Sequence, residues 1–536
     1  MIPAPAATRV TGERISLHDG LTIEATEELA GVGRWLRRVL EQSLGWQVEI
    51  SGHTRRSTAP GNVIRLLLEG DRDGDERGAE TEGYRLIVSD DAVSVTARQP
   101  IAVFYGLQTL RQLLPDSSWR AAAIEPAPPI ELMGIEVFDK PVFAWRGVHL
   151  DVSRHFMPKS FVLKLIDLVS MHKCNVLHLH LTDDQGWRMP VEAYPRLVEV
   201  GAWRRESAAG HYREGRFDGR PHGGFYSIDD LREIVGYASE RFVDVLPEID
   251  MPGHMVAAIA AYPELGNSPE PREVLTTWGI SPHVLNLEPA TLKFCTDVLD
   301  EVIDLFPFGY IHVGGDECPT TEWEASERAQ ALMTAEGLQS ERQLQAWFTD
   351  RIAQHLSRRG RRLVGWDEIL EGGAPPGAVV MSWRGEEGGI EAASAGHDVV
   401  MAPQQWLYLD WAYANDPREP LAIRPATSVE RVWSYDPVPD SIPEAQRHHV
   451  LGAQCQLWTE YVPNPQHAEY LYFPRLSAFS EVVWSGAAAR DLHGPRSFEE
   501  FESRLRRHLS RFDAIGVNYR PLEGPTPGQS RVWGRE

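Results

Sequence analysis

The segment HVGGDE, residues 312–317, places two adjacent carboxylic acids after a pair of glycines. Neighbouring residues of a regular strand face opposite sides of the sheet, so Asp316 and Glu317 can share one site only where a strand gives way to its loop. The glycines permit such a break. In unequal surroundings one carboxyl stays ionised while the other keeps a proton for a leaving group, which is acid–base chemistry. An exposed acidic loop tip is the competing interpretation, and the strand-end position favours function.

The elements that must position this pair form a repeating pattern from Trp145 onward. Short, nearly continuous apolar runs recur, most of them followed by an amphipathic helical segment, as expected for strands buried on both faces. The runs cover residues 147–153, 174–182, 244–250, 310–317, 362–369, 378–384, 398–404 and 451–458. Among the intervening helices is 227–242, with Ser227 as its predicted N-cap. The pattern predicts an α/β fold, a (β/α)8 TIM barrel.

The chain divides into three predicted parts. Residues 1–140 alternate strand-like and helix-like pieces, including a hairpin at 84–99, and predict a small α+β domain. The Pro-rich segment 123–131 is interpreted as the linker that follows it. The catalytic barrel is predicted over 141–490. Residues 491–536 hold an amphipathic helix and a tail that are expected to pack against the barrel.

Composition excludes several classes of protein. The 536 residues carry 53 Lys and Arg against 77 Asp and Glu, a formal net charge of −24, which argues against nucleic-acid binding. No window supplies the ~18 apolar residues of a membrane span. The opening MIPAPAATRV lacks the basic and apolar regions of a signal peptide, so a cytoplasmic location is expected. The four cysteines form no CxxC pair, which indicates neither a disulfide framework nor a thiolate zinc site.

Polar and aromatic side chains concentrate at the carboxyl ends of the apolar runs, where a TIM barrel builds its active site. They are Arg154, Asp183-Asp184, Glu248, Asp250, His254, Asp316-Glu317, Trp366-Asp367-Glu368, Trp383-Arg384, Tyr408, Asp410, Trp458 and Glu460. Acidic acceptors and Arg donors bind ring hydroxyls, and aromatic faces cover C–H surface. A phosphate site would need Gly-rich loops and basic residues instead. The pocket is therefore predicted to bind a sugar.

Two other functions fit parts of this pattern. The segment HLH, residues 178–180, has the spacing of an HxH metal pair in barrel hydrolases, so a metal-dependent hydrolase is the first alternative. His254 is the only further candidate ligand at a run end, and buried hydrogen-bonded histidines are the competing interpretation. A barrel that binds sugar without turnover is the second alternative, because fold alone does not determine function. The intact pair of Asp316 and Glu317 argues against it.

The motifs together resemble those of glycoside hydrolase family 20, the β-N-acetylhexosaminidases. The matching segments follow the family's order: RGVHLDVSRHF (146–156), NVLHLHLTDDQGWR (175–188), PEIDMPGH (247–254), HVGGDE, GWDE (365–368), MSWRG (381–385), YLD (408–410) and LWTE (457–460). The resemblance implies an exo-acting hydrolase that removes terminal β-linked GlcNAc or GalNAc with retention, without a metal or cofactor. The implied partner is an N-acetylhexosamine-terminated oligosaccharide or glycoconjugate. A monomer or homodimer is expected.

The resemblance also implies roles for individual residues. In a substrate-assisted mechanism the substrate's 2-acetamido oxygen, not the protein, attacks the anomeric carbon. Glu317 is implied as the general acid and later base, with Asp183 and His254 as a relay behind it. Asp316 is implied to orient the acetamido N–H, and Tyr408 to donate to the acetamido oxygen. The implied substrate-binding residues are Arg154, Trp366, Trp383, Asp410, Trp458 and Glu460.

Three further residues near these motifs have open or modest roles. The family often places another Trp at the pocket from the loop after the seventh strand, and here Trp411 and Trp433 both compete for that position. Ordinary core packing is the competing interpretation for the tryptophans at the strand ends. Cys318 follows the acid pair directly, and we expect a small packed residue there because no basic partner is evident.

Overall fold

The computed structural model describes residues 1–52, 61–69, 81–268, 270–487 and 497–525. They form two bodies, each with a hydrophobic core, and a C-terminal helix. Within these ranges no helix is both long enough and apolar enough to cross a bilayer.

The N-terminal domain is a seven-stranded mixed sheet. In spatial order its strands are Ala7–Leu17, Ile130–Asp139, Tyr84–Val88, Val93–Ala97, Val63–Leu68, Leu21–Ala25 and Val48–Ser51. Two helices, Ala30–Leu44 and Pro100–Arg111, pack against it, and the rings of Trp35 and Phe104 meet at a centroid distance of 4.6 Å. The predicted hairpin is present, because Tyr84–Val88 and Val93–Ala97 pair antiparallel.

The interpretation of 123–131 as an interdomain linker is wrong. Ile130 begins a strand that pairs with both the first strand and Tyr84–Val88 inside the N-terminal sheet. The preceding stretch packs along the end of the first helix, where Ala127 N donates to Leu44 O at 2.7 Å. Its prolines do end regular structure, but the alternation of buried and exposed residues in IELMGIEVFD adds one more strand to the domain.

The barrel is closed and its eight strands are parallel. The strands are Trp145–Asp151, Val176–His180, Asp244–Glu248, Tyr310–His312, Arg362–Trp366, Val379–Ser382, Asp398–Met401 and Val450–Cys455. Closure is made by the last strand against the first, with Gly452 opposite Trp145. Each predicted run overlaps one of these strands, so the predicted TIM barrel is confirmed. We number them as barrel strands one to eight.

Helices connect most barrel strands and cover the outside. The longer ones are Lys159–Met171, Ile228–Ser239, Pro289–Leu305, Glu327–Ala335, Glu341–Arg358, Glu387–Ser394, Pro465–Tyr472 and Arg475–Ser485. Shorter helices are Arg196–Glu199, Val256–Ala261, Thr321–Ala325, Gln404–Leu407 and Val429–Trp433. The N-cap prediction is confirmed, since Ser227 Oγ accepts from Asp230 N at 3.1 Å and Asp230 Oδ2 accepts from Ser227 N at 3.0 Å. Between strands five and six there is only a 3₁₀ turn, Asp367–Leu370.

A buried polar network joins the two domains. Arg146 at the start of the barrel lies 2.7 Å from Glu82 of the N-terminal domain, and both side chains are inaccessible to solvent. Lys173 lies 2.9 Å from Asp139 at the end of the last N-terminal strand. Because each buried charge has an opposite partner, replacing one member of a pair would leave the other buried without compensation.

The amphipathic helix predicted near the C-terminus is Phe498–Ile515. Its Phe512 packs against Phe473 with ring centroids 4.9 Å apart, and Arg504 lies 2.7 Å from Glu481 on a barrel helix. The predicted tail after residue 525 lies outside the described residues.

Candidate active site

The fourth barrel strand breaks before the acid pair. Gly314 and Gly315 have φ values of +65° and +93°, and Glu317 has φ +44° in the left-handed region that non-glycine residues rarely adopt. A Cβ at Gly314 would lie 1.7 Å from Oδ1 of Asp250, so only glycine fits there. Both carboxyls therefore leave the strand direction at one place, as the two glycines predict.

His254 joins the two acids to a buried carboxylate. Its Nε2 lies 3.5 Å from Glu317 Oε2 and 3.8 Å from Asp316 Oδ2, while its Nδ1 lies 3.2 Å from Asp183 Oδ1. Asp183 Oδ2 in turn lies 2.8 Å from Nη2 of Arg154. Residues predicted from four different strand ends thus form one chain of polar contacts that leads away from Glu317.

Electrostatics differ along this chain. Burial alone would lower the pKa of His254, but the charge of Asp183 and its hydrogen bond hold it well above the usual value. Burial alone would raise the pKa of Asp183, but the cations of Arg154 and His254 hold it well below its usual range. At neutral pH His254 is therefore a cation that donates to Asp183 and faces Glu317.

The two acids of the pair have unequal surroundings. The Asp316 side chain is 13% exposed and that of Glu317 is 31% exposed. Burial raises the pKa of Asp316 to about 6 against the opposing charge of His254, with further repulsion from Glu317. Oδ1 of Asp316 has no hydrogen-bond partner among the described residues and is free to accept from a ligand.

Aromatic side chains form a wall beside the acids. The rings of Trp383 and Tyr408 are stacked, with centroids 6.1 Å apart and an interplanar angle of 17°. The ring centroid of Trp458 lies 6.3 Å from that of Tyr408 and 5.8 Å from that of Trp366. Burial raises the pKa of Tyr408 well above its usual value. The phenol therefore keeps its proton and acts as a hydrogen-bond donor.

A second polar group lies next to Trp458. The backbone N of Trp458 lies 3.5 Å from Asp410 Oδ1, and the guanidinium carbon of Arg154 lies 4.9 Å from the centroid of the Trp458 ring. Burial raises the pKa of Asp410 well above its usual value, and the charge of Glu460 adds to this shift. Burial also raises the pKa of Glu460, against the opposing charge of Arg154. Two acids and one Arg therefore face a common space, which suits ring hydroxyls.

The structure brings all of the predicted site residues to one end of the barrel. They are Arg154, Asp183, His254, Asp316, Glu317, Trp366, Trp383, Tyr408, Asp410, Trp458 and Glu460.

Comparison with known proteins agrees with this geometry. The model of "Glycosyl hydrolase family 20, catalytic domain" matches residues 143–487, and that of "Glycosyl hydrolase family 20, domain 2" matches residues 1–126. The chain belongs to glycosyl hydrolase family 20. The family resemblance inferred from the motifs is thereby confirmed. Membership favours neither the metal-dependent hydrolase nor the non-catalytic barrel.

Family 20 proteins of several bacteria are similar to the chain. A beta-hexosaminidase of Porphyromonas gingivalis is 40% identical over 536 residues, which cover 99% of this chain and 65% of that protein. The chain therefore spans about two thirds of that relative's length. The solved beta-N-acetylhexosaminidase of Streptomyces coelicolor is 31% identical, with 98% of both chains covered and a TM-score of 0.81. A mutant Streptomyces plicatus beta-hexosaminidase in complex with its product GlcNAc is 32% identical, with coverage of 98% and 97% and a TM-score of 0.81.

Sequence reasoning missed Gln185 and gave no role to Glu248 or Glu368, and these three residues support the side chains that line the family 20 site. Gln185 accepts from Arg154 Nε at 3.2 Å. Glu248 accepts from Trp366 Nε1 at 2.9 Å, and Glu368 accepts from Trp383 Nε1 at 2.9 Å. Both glutamates lie at strand ends, and this position predicts that they face the site. The sequence pattern does not show which indole each glutamate contacts.

The HLH histidines belong to a buried network. The imidazoles of His178 and His180 both contact Glu248, with Nε2 of the first at 3.0 Å and Nδ1 of the second at 2.5 Å. Among the described residues, ligand atoms of His149, His178 and Glu248 lie within 4.8 Å of one another, as do those of three further groups, two of which contain His254. Some of these atoms belong to hydrogen-bonded pairs, such as His180 with Asp183 and His254 with Asp183, and short distances of this kind do not by themselves indicate a cation.

The remaining candidates have separate positions. Trp411 lies in the apolar cluster that contains Tyr408 and Trp458, whereas Trp433 stacks on Phe501 of the C-terminal helix at 6.2 Å. The first is therefore beside the site and the second is in the outer core. Cys318 is buried, which raises its thiol pKa to about 12 and makes it a poor nucleophile.

Proposed function

We propose that the chain is an exo-β-N-acetylhexosaminidase that hydrolyses terminal β-linked GlcNAc or GalNAc by substrate-assisted catalysis. The observation that carries this proposal is the contact of Glu317 with the His254–Asp183 relay, next to a second acid and an aromatic wall. The beta-hexosaminidase relatives and the GlcNAc complex of a family member support it.

In the first step Glu317 protonates the glycosidic oxygen. The bond from this oxygen to the anomeric carbon breaks as the 2-acetamido oxygen attacks that carbon, and the electron pair leaves with the alcohol. The part-exposed Glu317 side chain can reach the leaving group. The cation of His254 beside it tunes the acid through its contact with Asp183.

The acetamido group must be held in line for this attack. Ionised Asp316 accepts from the acetamido N–H and stabilises the charge that develops on the oxazolinium ring. Tyr408, which keeps its proton, donates to the acetamido oxygen, and the walls formed by Trp383 and Trp458 limit its motion. Positioning of this kind removes much of the barrier to ring closure.

In the second step water attacks the same carbon from the face that the alcohol left. Glu317, now a carboxylate, removes a proton from that water, the bond to the acetamido oxygen breaks, and the β configuration is restored. Arg154, Asp410 and Glu460 hold the ring hydroxyls through both steps.

Leaving-group dependence tests the role of Glu317. A general acid contributes about 10²–10⁴-fold where the leaving group needs a proton. We expect E317Q to lose roughly that factor in kcat on N,N′-diacetylchitobiose and far less on p-nitrophenyl N-acetylglucosaminide. The exposed Glu324 on the next helix supplies the control, and E324Q should retain both activities.

The same assay tests the nucleophile and the activity itself. Wild-type protein should release p-nitrophenol from the N-acetylglucosaminide but not from the plain glucoside, which lacks the amide. Equal turnover of the two glycosides would contradict substrate assistance. Sugar affinity without any turnover would contradict the hydrolase and support a binding protein.

A further inference from the structure

Glu248 is the last residue of the third barrel strand and is fully buried. One oxygen, Oε1, accepts from the Trp366 indole at 2.9 Å. The other, Oε2, lies 2.5 Å from Nδ1 of His180 and 3.0 Å from Nε2 of His178. Nδ1 of His312 lies 3.0 Å from Oε1. The carboxylate thus contacts groups from the second, fourth and fifth barrel strands.

These contacts continue the relay behind Glu317. His180 uses its second nitrogen, Nε2, to contact Asp183 at 2.8 Å, on the oxygen that His254 does not contact. An unbroken chain of polar contacts therefore runs from Glu317 through His254, Asp183 and His180 to Glu248. On its other oxygen, Glu248 holds an indole assigned above to the sugar pocket.

The charges along this extension alternate. Burial alone would raise the pKa of Glu248, but His180 and His312 hold it well below its usual range. Burial alone would lower the pKa of His180, but Glu248 and Asp183 hold it well above its usual value. An anion at Glu248, a cation at His180 and an anion at Asp183 thus fix one another in a space without solvent.

Other charged and titratable groups face Glu248 from the neighbouring strands. They are His149, His178, His312, Asp250 and Asp316. Burial and the adjacent histidines lower the pKa of His149 well below its usual value, and burial lowers that of His178 to about 4. Both imidazoles are neutral at neutral pH, whereas His180, whose pKa is held well above its usual value, compensates Glu248 directly through its 2.5 Å contact.

We propose that Glu248 is a positioning residue that couples the acid–base relay of Glu317 to the pocket wall formed by Trp366. The inference rests on the proposed function and adds to it a link between the two halves of the site. One carboxylate serves both halves, because it orients His180 with Oε2 and the indole with Oε1. Glu368 accepts from the indole of Trp383 and lies 3.9 Å from Nε of Arg384, and among the described residues it makes no hydrogen bond or ion pair with the relay.

Two substitutions separate the functions of the carboxylate. E248Q keeps an amide oxygen that accepts from Trp366 but removes the charge that compensates His180. W366F keeps Glu248 and the relay but removes the indole N–H and so releases the wall. The matched control is E481Q, which neutralises a buried glutamate paired with Arg504, away from the site.

Three readouts are required. They are kcat on N,N′-diacetylchitobiose, kcat on p-nitrophenyl N-acetylglucosaminide, and the inhibition constant of a thiazoline mimic of the oxazolinium intermediate, which needs no acid. We expect E248Q to lower kcat on the disaccharide about 10–100-fold, which is less than the loss of the general acid itself costs. Its kcat on the aryl glycoside and its inhibition constant for the thiazoline should change little. We expect W366F to weaken the thiazoline about tenfold and to slow both substrates. E481Q should change none of them.

The outcomes distinguish this inference from the function itself. If the wild type does not turn over either substrate, the proposed function fails. If the wild type is active and E248Q behaves like E481Q, the coupling is refuted. The coupling is also refuted if E248Q loses kcat on both substrates and affinity for the thiazoline by equal factors. Should E248Q not fold, H180N cuts the same chain at the next link, and the same selective loss on the disaccharide is required of it.

Discussion

Gly314 offers the most direct test of how the fold positions the acid pair. A Cβ at this position would lie 1.7 Å from Oδ1 and 2.3 Å from Cγ of Asp250, a buried side chain that also accepts from Gly315 N at 3.1 Å. G314A therefore carries a left-handed strain of about 1 kcal/mol and an overpacking cost of about 1–3 kcal/mol. The chain must shift to relieve the clash, and a displacement near 1 Å costs about 10²-fold in rate.

The matched control for this substitution is Gly337, which follows the helix Glu327–Ala335. It has φ +69° and no atom within 4 Å of an added Cβ, so G337A carries the same backbone strain without the clash. We expect G314A to lose about 10²-fold in kcat on p-nitrophenyl N-acetylglucosaminide, whereas G337A keeps its kcat and loses only stability. Wild-type kcat in folded G314A would refute the argument that this glycine aims Asp316 and Glu317.

Two further predictions concern charge. Asp316 must be ionised for the proposed mechanism, and its pKa is about 6. We therefore expect kcat/KM to fall as the pH drops through about 6 and to approach a tenfold loss per pH unit below it. A pH profile of kcat/KM that stays level down to about pH 4.5 would contradict this expectation. R146M leaves Glu82 buried without its cation and should cost about 3–5 kcal/mol of unfolding free energy, seen as a shorter half-life on heating. The double variant E82Q/R146M should recover part of that loss. An R146M variant with the wild-type half-life on heating would contradict the argument that this buried pair stabilises the fold.

Most of the barrel could be predicted from the sequence because its strands are buried on both faces and read as short apolar runs. The N-terminal domain was harder to predict. Its first strand, Ala7–Leu17, is largely exposed, and its partner Ile130–Asp139 follows a Pro-rich stretch that is typical of a linker. Only pairing between residues far apart in the chain brings that strand into the sheet, and local pattern does not encode such pairing.

The site shows the same division between residue type and contact. Strand-end position and motif order were enough to predict the residues that line the pocket, because parallel strands end at one face of the barrel. They were not enough to predict that Glu248 holds Trp366 or that Gln185 holds Arg154. Those contacts depend on the direction of side chains on neighbouring strands, which the sequence pattern does not give. For the same reason the pattern could not exclude that the two histidines of HLH form a metal pair.

The placement of the two acids bears on which group attacks the sugar. A covalent protein nucleophile must approach the anomeric carbon from the face opposite the acid, so the two carboxyls of such enzymes flank the bond. Here Asp316 and Glu317 are consecutive, leave the same strand end, and approach one nitrogen of His254 at 3.8 Å and 3.5 Å. Consecutive positions at one strand end suit Asp316 to hold the acetamido N–H, and under the proposed function the amide oxygen, which approaches from the face opposite the leaving group, forms the first bond to carbon.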